Sequence, residues 1–252
     1  MKKIIDWLFT IVFAPTFLLI LVIFHPFLML FSLFPYRIYA LAPNALMWTL
    51  TKSLWLTAST YRIKGKSYLK KIPKGRPLII ISNHQSMLDI PAIGTALLRT
   101  HHVKFISKKS LAKNVPSISW NLRHGKHALI DRKDRLGSLQ AIKNFAKEVI
   151  EYNFAACIFV EGTRSRDGQL SPFKIAGFET LLKEVPNALV LPIAVDNFWR
   201  ITRYKMQPVE SFLPLRLHIL TPIEPQAQTA KEVLTHCEKQ IKAALNASNK
   251  TL

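Results

Sequence analysis

Two hydrophobic rhythms divide this chain. From Trp7 to Tyr36 no charged residue occurs, and Lys2 and Lys3 stand just before the run. It exceeds the roughly 20 residues that a membrane-spanning helix needs. Pro15 and His25-Pro26 interrupt it, so two arrangements fit: one tilted, proline-kinked span, or a broken helical hairpin within one leaflet. A cleaved signal fits poorly, because Pro43 follows the cleavage-like Ala40-Leu41-Ala42 and the run is too long. Residues 43–60 read as a second helix that Asn44 would cap. Leu46, Leu50 and Leu54 fall near one face, and Trp48 and Trp55 suit a lipid–water boundary or an ordinary packed surface.

Beyond residue 60, short apolar blocks alternate with helical-period segments. Pro77-Leu78-Ile79-Ile80-Ile81 is continuously apolar, the mark of a strand covered on both faces. Further strands are expected at Val103–Ile106, His127–Ile130, 155–160 and Ala188–Val195, with alternating strands at Tyr61–Gly65 and Leu215–Leu220. Helices are expected from about Asp89 to Leu98, over 134–151, and from Ile175 to Glu184. In the second of these, Leu136, Leu139, Ile142, Phe145 and Val149 recur at helical spacing behind Asp134. Thr229-Ala230-Lys231-Glu232 is a capping box that opens a final helix with Val233, Cys237 and Ile241 on one face. The alternation predicts an α/β, three-layer domain with a mostly parallel or mixed sheet over 61–252. N-terminal membrane-anchoring helices over 1–60 would precede it.

Charge narrows the partners. Lys and Arg number 35 against 15 Asp and Glu, a formal net charge of +20. That excess calls for a polyanion, and the apolar N-terminus favours an anionic membrane over nucleic acid. No recognition helix, zinc-ligand spacing or RNA-binding sheet motif is present, so no nucleic acid partner is expected. Cys157 and Cys237 are read as small packing residues, and no metal site is expected.

Two stretches carry candidate chemistry, each at the end of a predicted core strand, where α/β sheets place reacting groups. The first is Ser82-Asn83-His84-Gln85-Ser86-Met87-Leu88-Asp89. A strand-to-helix turn would return the Asp89 carboxylate onto the His84 imidazole, making an oriented general base. The plain alternative is an Asp89 helix cap beside an unrelated loop histidine. The second is Phe159-Val160-Glu161-Gly162-Thr163-Arg164-Ser165. Gly162 permits close backbone approach, Thr163 offers donors, and Arg164 can grip two oxygens, which together suit a phosphate. Glu161 would repel phosphate and is assigned to orienting Arg164 or to a sugar-type hydroxyl. The alternative is a tight turn with a surface ion pair. His101, His102, His124 and His127 are read as loop or surface residues.

Four blocks occur in a fixed order: Asn83-His84 with Asp89, Lys108-Lys109-Ser110-Leu111 through Ile130-Asp131-Arg132, Phe159 to Ser165, and Leu191-Pro192-Ile193. On these blocks, residues 60–222 or so resemble the glycerolipid acyltransferase family, whose members move an acyl chain from a thioester to a lysophospholipid hydroxyl. Val160 departs from the family's usual proline, and Ser119 from a glycine three residues after Pro116. The resemblance implies acyl transfer from acyl-CoA or acyl carrier protein to the sn-2 hydroxyl of 1-acyl-glycerol-3-phosphate, giving phosphatidic acid. His84 would be the base and Asp89 its orienting group; neither Ser82 nor Ser86 would form an acyl-enzyme, and no cofactor is implied. Asn83 would shape the turn or stabilise the oxyanion. Arg132 would be a second phosphate ligand or a solvated arginine, and Lys108 and Lys109 would meet coenzyme A phosphates or the membrane. Two alternatives are kept: an acyltransferase for another lysophospholipid such as lysophosphatidylglycerol, and a non-catalytic membrane lipid-binding protein. The expected location is the cytoplasmic face of the inner or plasma membrane.

Overall fold

A computed structural model describes residues 1–249; residues 250–252 of the expected 61–252 domain lie outside the described residues. The N-terminal part forms α1 (Lys2–Phe31), α2 (Tyr36–Tyr39) and α3 (Leu41–Ser53), which runs into a 3-10 turn, Leu54–Thr57. The sheet region then follows as β1 (Thr60–Lys64), α4 (Lys66–Leu69), β2 (Leu78–Ser82), α5 (Asp89–Leu97), β3 (Val103–Lys108), α6 (Ile118–His124), β4 (Ala128–Ile130), α7 (Arg135–Tyr152) and β5 (Ala155–Phe159). It ends with α8 (Ile175–Glu184), β6 (Leu189–Asp196), α9 (Phe198–Thr202), β7 (Pro214–Ile219) and α10 (Ala230–Asn249).

The seven strands form one mixed sheet in the order β1-β7-β6-β2-β5-β3-β4. Five run parallel, from β6 across to β4; β7 pairs antiparallel with β6, and β1 lies parallel to β7. The apolar block of β2 is central and buried throughout. Its alternate residues serve opposite faces: Leu78 and Ile80 join the core under α5, and Ile79 and Ile81 join the core under α7, α8 and α10. This is why the block is continuously apolar rather than alternating.

Two helix starts carry the caps that the sequence predicts. Asp134 caps α7 by accepting from the Gly137 N–H at 2.9 Å, and Thr229 and Glu232 close the predicted box at α10. Leu136 departs from expectation: it lies in the first turn of α7 and is 82% exposed. Asn44 does not cap the second helix, which begins earlier, at Leu41; its amide instead meets His102 Nδ1 at 3.1 Å. His101 and His127 are not surface residues. His101 is buried and lies 2.9 Å from the Arg76 carbonyl, and His127 Nδ1 accepts from the Phe105 N–H at 3.0 Å.

Helix α1 is unbroken through Pro15 and Pro26 and is apolar and long enough to cross a membrane. It folds back on α3, which packs on α5. Phe13 and Leu54 join the same core cluster as Leu78 and Ile80. Polar ties hold α1 along the domain: Lys2 pairs with Glu210 at 3.0 Å, and Asp6 accepts from the Ser211 N–H and hydroxyl at 2.9 and 2.6 Å. Farther along, the Leu21 carbonyl accepts from the Ser117 hydroxyl at 2.5 Å, and His25 Nδ1 from its N–H at 3.1 Å. The opposite face of α1 exposes Leu8, Ile11, Leu18, Val22 and Leu30. On α3, Leu46 and Leu50 are buried, whereas Trp48 and then Trp55 face outward, with Lys52 Nζ 5.6 and 4.6 Å from their rings.

Candidate active site

Strands β2 and β5 are neighbours with Ser82 opposite Phe159, so the chains leaving them stay side by side: His84 emerges next to Glu161. The turn after β2 is set by side chains acting on backbone. Asn83 lends both amide atoms to Val195 at the end of β6, donating to its carbonyl at 2.9 Å and accepting from its N–H at 2.8 Å. Asn83 is therefore a clamp that extends the ladder. It is buried, and both its amide nitrogen and its amide oxygen are engaged by Val195, in keeping with the turn-shaping reading. Gln85, which the sequence pattern did not single out, ties the turn to α9, where its Oε1 accepts from the Phe198 N–H at 2.9 Å.

Asp89 opens α5 and turns its carboxylate back into the loop. Its Oδ2 accepts from the Gln85 and Ser86 amides at 2.6 and 2.8 Å and lies 2.8 Å from His84 Nδ1. The carboxylate is fully buried, whereas the His84 side chain keeps 14% of its surface. An ionised carboxylate only accepts, so in the neutral ring Nδ1 carries the proton and Nε2 keeps its lone pair. Among the described residues Nε2 has no protein partner. The Phe159 ring stacks on the imidazole at 3.9 Å and 14°, fixing its plane. Ser82 and Ser86 are fully buried, with the Ser82 hydroxyl given to the Asn83 carbonyl.

Glu161 corrects a second expectation. Its Oε1 accepts from the His84 N–H and its Oε2 from the Ser171 N–H, both at 2.7 Å. It makes no ion pair with Arg164 and instead joins both ends of its own loop to the His84 turn. Burial pushes its carboxyl pKa up, and the two amides pull it back. The Ser165 N–H donates to the His84 carbonyl at 2.8 Å, adding a second stitch. Gly162 has a φ of +73°, a conformation that favours glycine. Thr163 and Arg164 are exposed beside it.

The other basic candidates sit farther along the same sheet edge. Lys108 pairs in register with Ile130, so Lys108, Lys109 and Arg132 share the ends of β3 and β4. At roughly 5 Å per strand they leave the sheet about 10–15 Å from β2, whereas Arg164 leaves from its neighbour. All four cations are exposed, and among the described residues none has an ion pair. Among the described residues no three His, Cys, Asp or Glu side chains converge as metal ligands. The two departures from the family pattern are accommodated locally. Val160 is buried in the core under α7 and α8, and the Ser119 hydroxyl closes its loop by donating to the Leu111 carbonyl at 2.9 Å.

A family model described as Acyltransferase matches residues 62–196. This chain belongs to the acyltransferase family. The match runs from β1 to the end of β6 and contains both the His84 turn and the Glu161 loop. A 1-acyl-sn-glycerol-3-phosphate acyltransferase of Limnanthes douglasii is 28% identical over 188 residues, 71% of this chain and 60% of that one. The chloroplastic 1-acyl-sn-glycerol-3-phosphate acyltransferase LPAT1 of Arabidopsis thaliana is 32% identical over 217 residues, 83% of this chain and 56% of that one. The chain thus spans about three-fifths of the length of these curated relatives. The crystal structure of the 1-acyl-sn-glycerophosphate acyltransferase PlsC from Thermotoga maritima superposes with a TM-score of 0.76 at 23% identity, covering 99% of this chain and 98% of that one. That likeness extends the shared fold of this acyltransferase to the N-terminal helices.

Proposed function

We propose that this acyltransferase moves an acyl chain from a thioester, acyl-CoA or acyl carrier protein, to the sn-2 hydroxyl of 1-acyl-glycerol-3-phosphate, forming phosphatidic acid. The observation that carries the reading is His84, with Nδ1 held by Asp89 and Nε2 left free at the mouth of the sheet. Nε2 takes the proton of the acceptor hydroxyl as its oxygen attacks the thioester carbonyl. The C–S bond then breaks, and the imidazolium returns the proton to the departing thiolate. Asp89 stabilises the imidazolium in between. The buried serines support direct attack rather than an acyl-enzyme. Arg164, on the loop stitched to the His84 turn, grips the acceptor phosphate, and Lys108, Lys109 and Arg132 attract the anionic parts of the donor.

The same reading places the protein on an anionic membrane at the cytoplasmic face, with α1 lying in one leaflet. The ties from Lys2 to His25 would all have to break for α1 to stand across the bilayer. Protease should then reach tags at residue 1 and at the C-terminus from one side of a sealed vesicle; tags on opposite sides would mean that α1 crosses. The activity is tested by giving the purified protein labelled acyl-CoA and a panel of lysophospholipids. Lysophosphatidic acid should be the best acceptor. Equal or better use of lysophosphatidylglycerol would transfer the assignment to that acceptor, and no transfer to any acceptor would leave a lipid-binding protein.

A further inference from the structure

The space where Gly162 would carry a side chain is already taken. A Cβ built there would lie 3.1 Å from Lys174 Nζ, 3.5 Å from its Cδ and 3.7 Å from its Cε. The outer half of Lys174 therefore runs across the bare face of the glycine. Its backbone is anchored at the same place: the Lys174 N–H donates to the Val160 carbonyl at 2.8 Å, immediately before α8 begins. Glu161 in the same loop makes no ion pair with it; its oxygens accept from the His84 and Ser171 amides. Among the described residues Lys174 has no ion pair and no side-chain hydrogen bond, and it is exposed. A lysine held only by its stem keeps three donors and a full charge for an anion.

We propose that Lys174 is a further binding residue of this site: with Arg164 it holds a substrate phosphate, its amine lying over the bare face of Gly162. The proposal rests on the phosphate-binding reading of that loop and adds a cation no motif marked. The two would divide the work, with the guanidinium fork fixing direction and the ammonium supplying a point charge from the side of α8. The phosphate could belong to the acceptor lipid or to coenzyme A; the chemistry is shared, and the kinetics separate the two sources.

The test uses full-length wild type, Lys174→Met, which keeps the stem packed on Gly162, and Lys174→Arg, which keeps the charge. Acceptor and donor are varied separately, melting temperature is recorded, and binding of sn-glycerol 3-phosphate is titrated by NMR without turnover. Lys174→Met should raise one KM about tenfold, the loss of one charged hydrogen-bonding group, with kcat and melting temperature little changed. Lys174→Arg should recover most of that loss. A rise in the acceptor KM assigns the phosphate to the lipid, and a rise in the donor KM to coenzyme A. Unchanged KM values in Lys174→Met, equal loss in Met and Arg variants, or a loss confined to kcat would each overturn the proposal. If wild type transfers no acyl group but binds glycerol phosphate more tightly than Lys174→Met, the acyl-transfer reading fails and Lys174 stands. If wild type neither transfers nor binds, both fall.

Discussion

At the His84 turn, Asn83, Gln85, Ser86 and Asp89 are buried and committed to backbone groups of the turn, β6 and α9. A few ångströms away, Arg164 is exposed and unpaired among the described residues, like Arg132, Lys108 and Lys109 along the same edge. The turn is finished at folding but for Asp89 Oδ1, which is buried without a partner among the described residues; the rim is left incomplete. On the proposed function this difference has a reason: a base must be oriented before substrate arrives, so its partners would come from the fold. By the same reading a cation that is to grip phosphate gains most if no carboxylate has to be displaced first, so its partner would come from solution. Glu161 joins the two regions, because the acid that interrupts the basic loop is spent on holding the loop to the turn.

The largest test falls on the finished region. His84→Ala should lower kcat by about 10²–10⁴-fold with the fold intact, and Asp89→Asn should be comparably severe because an amide can hold the wrong tautomer. Turnover near wild type in folded His84→Ala protein would remove the base from its role. Next comes the rim. Arg164→Ala should cost on the order of 2–5 kcal/mol in kcat/KM for a phosphate monoester acceptor, while the melting temperature stays put because no internal pair is lost. Arg132→Ala, two strands farther out, should cost under about 0.5 kcal/mol in stability and less in kcat/KM than Arg164→Ala. A ranking reversed between these arginines would shift phosphate recognition outward.

Glu161→Gln probes the join. The amide side chain keeps one acceptor and presents an N–H to a backbone N–H, which should cost about 1–3 kcal/mol of stability. By displacing His84 it should also slow turnover by up to about 10²-fold. Lost activity with an unchanged melting temperature would instead make Glu161 a group that meets substrate.

A last test, of stability alone, compares two lysines on one strand. Lys108 is exposed at the end of β3, whereas Lys104 is buried near its start, 4.9 Å from the Tyr36 ring and 5.2 Å from that of Phe154. Burial first, and then the Lys126 charge, push its pKa down to about 7. The unfolded chain therefore binds a proton that the folded chain lacks from about pH 7 to the ordinary lysine range near 10.5, and stability rises with pH across that window. Below it the full cost of the buried ammonium is present. Lys104→Met should raise stability by on the order of 2 kcal/mol at pH 6 and by much less at pH 10. Thermal melts at both values check this, and an equal gain at both would mean that packing, not charge, is at work.

Read alone, the sequence placed strand β2, the start of α5 and the five-residue interval between His84 and Asp89, because continuous apolar burial and a carboxylate at a helix start are local patterns. The four ordered blocks gave the family. The amphipathic character of α3 was equally local. A turn-shaping role for Asn83 was legible, but its partner, and the role of Glu161, were not. Asn83 meets Val195 and Glu161 meets His84 and Ser171 only because β2 lies between β5 and β6, an order no local pattern encodes. The antiparallel placement of β7 was open for the same reason. The course of α1 was also decided in three dimensions. Apolar length alone permits a span, but one buried face along Phe13, Leu21 and Leu28 and polar ties at both ends lay it along the domain. Periodicity reports which residues avoid water; which neighbour covers them, and which polar atoms that neighbour satisfies, is a property of the assembled sheet.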